Sequence, residues 1–130
     1  GIKGNYSEHD PVLPINNYAI SKLGGECAVQ MYKNSLILRI SMTEKPFIHK
    51  EAFNDVEMNF MYHEDLAKNL LKLINHKGII NVGGLKNTVY NFAKKDNQNV
   101  KPVASKKIIG KQFPRKQTMN LKKYHKIIKK

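Results

Sequence analysis

Asn16-Asn17-Tyr18-Ala19-Ile20-Ser21-Lys22-Leu23-Gly24-Gly25-Glu26-Cys27-Ala28-Val29-Gln30-Met31-Tyr32, followed by Ser35-Leu36-Ile37-Leu38-Arg39-Ile40, decides how the 130-residue chain reads. Asn16 or Asn17 can cap a helix that runs to about Tyr32, because a short side-chain oxygen accepts from an otherwise unpaired N–H of the first turn. Tyr18, Ala19, Leu23, Cys27, Ala28 and Met31 recur near helical spacing and predict an apolar stripe. Cys27 lies on that stripe and reads as a small core residue. Gly24-Gly25 weakens the helix by roughly 1 kcal/mol per Gly against Ala, which predicts close packing of another element there. The apolar run Leu36–Ile40 follows directly and reads as a buried, parallel strand.

Outward from that unit the same alternation continues. Residues 1–15 read as loop, punctuated by Gly1, Gly4, Pro11 and Pro14. Residues 42–55 also read as loop, and 56–62 as one short strand. His63–Asn75 is the clearest amphipathic helix: Leu66, Ala67, Leu70, Leu71 and Ile74 share a face, with Glu64 and Asp65 in the first turn. Gly78–Val82 reads as a second strand closed by Gly83-Gly84. Thr88 caps a helix to about Lys95, residues 100–104 can form a strand, and a last helix covers Leu121–Ile128. Helices alternating with short strands make the class α/β.

Tyr18 and Lys22 are the residues that suggest chemistry. Four residues along a helix is one turn plus about 40°, so the two share a face. A free phenol ionises near pH ~10. An ammonium a few Å away favours the phenolate. Such a phenol can pass a proton to or from a carbinol oxygen while hydride moves at the carbon. The spacing alone also fits a surface Tyr and Lys on an ordinary helix.

At this point the chain resembles the extended short-chain dehydrogenase/reductases, and most of all the reductases of 4-keto-6-deoxy nucleotide sugars, the dTDP-4-dehydrorhamnose reductase group. Gly4-Asn5-Tyr6-Ser7-Glu8-His9-Asp10-Pro11 and Pro14 to Tyr18 resemble that family's lead-in to the catalytic helix, and Ser21–Glu26 its continuation. Leu36-Ile37-Leu38-Arg39 resembles the next strand, and His63-Glu64-Asp65-Leu66-Ala67 the helix capping the sugar side. Asn81–Gly84 with Val89–Ala93, and Pro114-Arg115 with Met119-Asn120-Leu121, resemble the later segments. The resemblance covers nearly the whole chain.

It implies the C-terminal part of a Rossmann-type enzyme: residues 1–41 as the catalytic helix and core strand, 42–130 as the sugar-nucleotide-binding subdomain. Tyr18 would protonate the C4 keto oxygen, and Lys22 would hold the nicotinamide ribose. Backbone at Ile40 and Ser41 would lie beside the nicotinamide of NADPH or NADH. Arg115 would meet the substrate diphosphate, since its planar fork bonds two oxygens at once. The product would be a deoxysugar donor such as dTDP- or UDP-rhamnose. The family's glycine-rich turn, where backbone N–H groups receive the cofactor pyrophosphate, has no counterpart in the sequence: no GxxGxxG or GxGxxG occurs. The expectation is a chain lacking the N-terminal cofactor half, inactive alone, with strand edges that invite a homodimer or a separate N-terminal half. Where the family usually places an aromatic after the strand, this chain has Ile40-Ser41-Met42. A non-catalytic sugar-nucleotide-binding module is the alternative.

Composition bounds the rest. A single cysteine makes no internal disulfide, and no CxxC zinc pair exists, which suits a reducing, cytoplasmic setting. No apolar run reaches the ~18 residues of a membrane span. His63-Glu64 opens like HExxH, but position 67 is Ala, and the other histidines lack ligand spacing, so no metal is expected. The net charge of +13 raises a polyanion, nucleic acid included, as a partner. Only Arg39 and Arg115 among the 23 basic residues are arginine, the preferred reader of phosphates and base edges, which argues against it. The terminal Lys122–Lys130 segment reads as a solvated amphipathic helix rather than a membrane or nucleic-acid contact.

Overall fold

The computed structural model describes residues 2–108 and 113–129. In chain order the elements are α1 (Asn17–Gln30), β1 (Leu36–Ile40), β2 (Met42–Thr43), β3 (Glu51–Phe53), β4 (Glu57–Met58), β5 (Met61–Tyr62), α2 (His63–Leu73), β6 (Gly78–Val82), β7 (Asn87–Thr88), α3 (Val89–Ala93), β8 (Lys101–Val103), α4 (Ser105–Ile108) and α5 (Lys122–Ile128). The α/β class is as read.

The two apolar runs form the main ladder. β1 and β6 pair in parallel, Leu36 opposite Gly78 through Ile40 opposite Val82. A parallel pair needs a long crossover, and α2 lies within it. One hydrophobic cluster covers this ladder: Leu73, Ile80 and Val82 are fully buried, with Met61, Leu121 and Tyr124 beside them. A second cluster, Phe47, Ala52, Val56, Val89, Ala93 and Val100, lies under β3, β8 and α3.

Several expectations are corrected. Residues 42–55 are not all loop: β2 pairs with β5, and β3 with β8, both in parallel. The single strand expected over 56–62 is two pieces, β4 antiparallel to β7 and β5 parallel to β2, separated by Asn59-Phe60. Asn59 is buried and works as a clip: its Nδ2 donates to the Gly84 carbonyl at 3.0 Å and its Oδ1 accepts from Met119 N–H at 2.7 Å. This clip explains Gly83-Gly84. A Cβ on Gly83 would sit 2.4 Å from the Asn59 carbonyl oxygen, and one on Gly84 2.3 Å from that of Phe60.

The helix faces also differ from expectation. α1 is capped by Asn16, whose side chain accepts from Ala19 N–H at 2.8 Å, but it buries no residue. Of its apolar stripe only Ala19 and Leu23 are half-buried, Tyr18, Cys27, Ala28 and Met31 are exposed, and among the described residues a Cβ on Gly24 or Gly25 would meet no atom within 4 Å. In α2 Leu73 is buried and Leu66 packs half-buried on the same cluster, whereas Leu70, Leu71 and Ile74 are exposed. Periodicity finds an apolar face; it does not say that a neighbour covers it.

Candidate functional site

Tyr18 and Lys22 stand one turn apart on α1, and both are exposed. Tyr18 has 73% of its surface open, so its hydroxyl is accessible to a ligand. Its backbone carbonyl accepts from the Ser21 hydroxyl at 2.8 Å. Sequence spacing therefore placed the pair correctly on one helix.

The helix is attached to the ladder by Arg39, the fourth residue of β1. Arg39 Nε donates to Glu26 Oε2 at 3.0 Å and Nη2 to Glu26 Oε1 at 2.5 Å. Nη1 reaches the Glu8 carbonyl at 3.3 Å. The Glu8 carboxylate in turn accepts from Asn81 N–H at 3.0 Å, and the buried Asn81 side chain donates to the Tyr6 carbonyl at 2.9 Å. Tyr6 N–H donates to the Thr118 carbonyl at 3.0 Å. The lead-in to α1 is thus threaded between β6 and the segment before α5. The reading of the residues had no signal for this network except that Glu26 follows Lys22 by one more turn.

Ile40 ends β1 opposite Val82, and the Ser41 carbonyl accepts from Met61 N–H at 3.1 Å. Both residues are half-buried, so they lie at the edge of the ladder where the chain passes toward β2. Residues just beyond line a cleft of ≈ 520 Å³ over the second cluster. Its walls are apolar and aromatic, with Phe47, Phe53, Phe60 and Phe113 among them, and Thr43, Glu44 and Gln117 supply polar atoms. Sequence reasoning missed these phenylalanines as a group, because they come from segments brought together only by the short β3–β8 and β4–β7 pairings.

Arg115 is paired with Asp55 rather than free. Its Nε lies 3.6 Å from Asp55 Oδ2, and its side chain is 56% exposed. Asp55 also accepts from Ser105 N–H at 2.8 Å and from the Ser105 hydroxyl at 2.9 Å. Burial pushes the Asp55 carboxyl up, but the Ser105 donors and Arg115 outweigh it and hold the group below the usual range. The guanidinium retains N–H groups that an anion could reach.

A second phenol, Tyr62, lies inside the fold. Tyr62 is buried, its hydroxyl donates to Asp96, and Lys45 sits over its ring at 5.3 Å while pairing with Asp96 at 3.4 Å. Burial first, and the Asp96 carboxylate second, push the Tyr62 phenol far up. It keeps its proton and acts as a lock between α2 and the end of α3. Among the described residues, no group of three His, Cys, Asp or Glu side chains is placed to hold a metal ion, and no helix is long and apolar enough to cross a membrane.

No family model and no curated protein matches the sequence. Solved structures do match. A hypothetical dTDP-4-dehydrorhamnose reductase from Sulfolobus tokodaii superposes with TM-score 0.77 at 26% identity, over 96% of this chain and 53% of that one. The dTDP-4-dehydrorhamnose reductase of Bacillus anthracis, solved in complex with NADP, gives 0.74 at 23% identity, over 93% and 52%. That of Yersinia enterocolitica gives 0.64 at 21% identity, over 98% and 61%. The chain spans about half the length of the first two. The resemblance read from the residues is borne out: the fold of this chain is similar to that of dTDP-4-dehydrorhamnose reductases.

Proposed function

We propose that this chain is the catalytic-helix and sugar-nucleotide part of an NAD(P)H-dependent reductase of nucleotide-linked 4-keto-6-deoxy sugars, dTDP- or UDP-bound, serving rhamnose biosynthesis in the cytoplasm. The observation that carries the proposal is the superposition on the Sulfolobus tokodaii structure over nearly the whole chain, with Tyr18 and Lys22 open to solvent on one helix.

In this reading Tyr18 hydrogen-bonds the C4 carbonyl oxygen and gives it a proton as the carbon is reduced. Lys22, one turn on, keeps a positive charge beside the phenol and hydrogen-bonds the ribose of the cofactor. The nicotinamide, when bound, supplies the hydride. Backbone at Ile40 and Ser41 borders it. The lobe from residue 42 onward receives the sugar nucleotide, with the aromatic cleft for apolar surface and Arg115 for the diphosphate. These residues suit the ribose and nicotinamide end of the cofactor. For its pyrophosphate end no glycine-rich turn exists in the 130 residues, so that end belongs to a separate cofactor-binding half, held in another chain or in more of the same one.

A second reading, a sugar-nucleotide-binding module without turnover, is favoured by that missing turn. One experiment separates the two. NADPH oxidation with a dTDP-4-keto-6-deoxy sugar by the chain supplied with a cofactor-binding half, slowed about 100-fold or more in Tyr18→Phe, supports the reductase. Sugar-nucleotide affinity without turnover even with that half supports the module. Neither binding nor turnover refutes both.

A further inference from the structure

We infer that the Glu26–Arg39 fork is a positioning device that fixes the rotation and height of α1, and hence of Tyr18 and Lys22, against the C-terminal end of β1. The inference rests on the reductase reading for its consequence in catalysis, though not for its structural part.

α1 has no fully buried residue, with only Ala19, Leu23 and Glu26 half-buried, and among the described residues nothing lies within 4 Å of where a Cβ on Gly24 or Gly25 would be. Packing therefore does little to choose its orientation. Among the described residues, the side-chain hydrogen bonds of α1 are to itself or its own cap, with one exception. Asn16 caps Ala19, Ser21 bonds Tyr18, and Gln30 bonds Glu26, all within the helix and its cap. The exception is the two-pronged bond from Arg39 to Glu26.

Two parallel N–H···O bonds fix a direction as well as a distance, which a single point charge does not. The pair is also sheltered: the Glu26 side chain is 12% exposed and that of Arg39 21%. Arg39 is itself held, by the β1–β6 ladder at its backbone opposite Asn81 and by the Glu8 carbonyl at its third nitrogen.

Tyr18, Lys22 and Glu26 follow one another by single turns. Anchoring Glu26 thus sets the azimuth of the other two, each rotated by about 40° per step. Arg39 immediately precedes Ile40 and Ser41. The fork therefore links the helix carrying the phenol to the strand end that would border the nicotinamide. It sets the spacing on which proton and hydride delivery to one carbonyl depends.

The test uses the 130-residue chain and two independent readouts. In Glu26→Gln and in Arg39→Lys, amides of α1 should exchange with deuterium roughly 10-fold faster or more, while amides of β6 and α5 keep their protection. The double variant Glu26→Arg/Arg39→Glu should recover much of the α1 protection. In NADPH-dependent reduction with a cofactor-binding half present, the single variants should lower kcat about 10-fold or more with KM for the sugar nucleotide unchanged, because the cleft is untouched. Unchanged α1 exchange in both single variants overturns the inference. So does loss of protection across β6 and α5 in both, which marks a general structural role. A wild-type chain that lacks turnover even with a cofactor-binding half present, yet shows the selective exchange effect, would sink the reductase reading and keep the tether.

Discussion

Helices α1 and α3 start alike and are held differently. Each begins with a side-chain cap: Asn16 accepts from Ala19 N–H at 2.8 Å, and Thr88 from Asn91 N–H at 3.1 Å. Beyond the cap, α1 runs for 14 residues without burying one, and α3 runs for five and buries Val89 and Ala93. Five residues form no stable helix alone, since nucleation costs more than so few bonds return. α3 exists because its two ends of apolar surface close the second core. α1 is longer and capped, but at 14 residues with Gly24-Gly25 it is marginal alone, so the tether to Arg39 and its half-buried residues add to its own bonds. The difference teaches where the molecule keeps rigidity and where it keeps access. The cleft lobe is fixed from within, and the proposed proton donor sits on a helix left open on all but its tethered side.

Substitutions can sharpen that contrast. Enlarging the same residue type in each helix gives the largest gap. Ala93→Leu inserts three carbons where Ala93 is fully buried and should cost about 2 kcal/mol in urea unfolding. Ala28→Leu, on the exposed helix, should stay within about 0.5 kcal/mol. Similar costs for both would mean that α1 packs against something in solution.

The next effect is electrostatic and belongs to the cleft lobe. Removing the Asp55 charge with Asp55→Asn should cost about 1–2 kcal/mol, through its bonds to Ser105 and Arg115. The pH dependence has a definite sign. A carboxyl held low in the fold binds its proton first in the unfolded chain, near pH ~3.9. Its contribution is therefore fully present above about pH 5 and is lost as pH falls through the unfolded value and then the lower folded one. Asp55→Asn should flatten the unfolding midpoint between about pH 5 and 3 relative to wild type; an unaltered profile would contradict the assignment.

The smallest effect has the opposite direction. Gly24→Ala adds a Cβ that meets nothing and should stabilise the chain by about 0.5–1 kcal/mol, as Ala is the better helix former. If the same change weakened assembly with a cofactor-binding half, the empty space at Gly24 would be a docking face.

How much of this was legible in the sequence follows the range of the forces. The caps at Asn16 and Thr88, the runs Leu36–Ile40 and Gly78–Val82 and the start of α2 depend on neighbours within a few residues and are found as read. Leu36–Ile40, however, is half-buried rather than buried, and α2 ends at Leu73 rather than Asn75. β2, β3, β4 and β5 are two or three residues each, and their partners are far along the chain. No local pattern can announce them. The buried face assigned to α1 failed for a related reason. Cys27 and Gly24 have the spacing of a packed helix, but spacing cannot show whether a partner is present. At the candidate site, Tyr18 and Lys22 were visible through their four-residue interval. Glu26 and Arg39, Asp55 and Ser105, and the phenylalanines of the cleft acquire meaning only once the chain is folded.

The central claim is that Tyr18 delivers a proton to a nucleotide-linked sugar ketone as hydride arrives. Its most direct test is isotopic: incubate the chain, with and without a cofactor-binding half, with dTDP-4-keto-6-deoxy sugar and NADPH deuterated at the transferable nicotinamide position. The account predicts deuterium at C4 of the reduced sugar, formed by wild type and largely lost in Tyr18→Phe. Deuterium transfer undiminished in Tyr18→Phe, or none from wild type in either condition while the sugar nucleotide is bound, would contradict it.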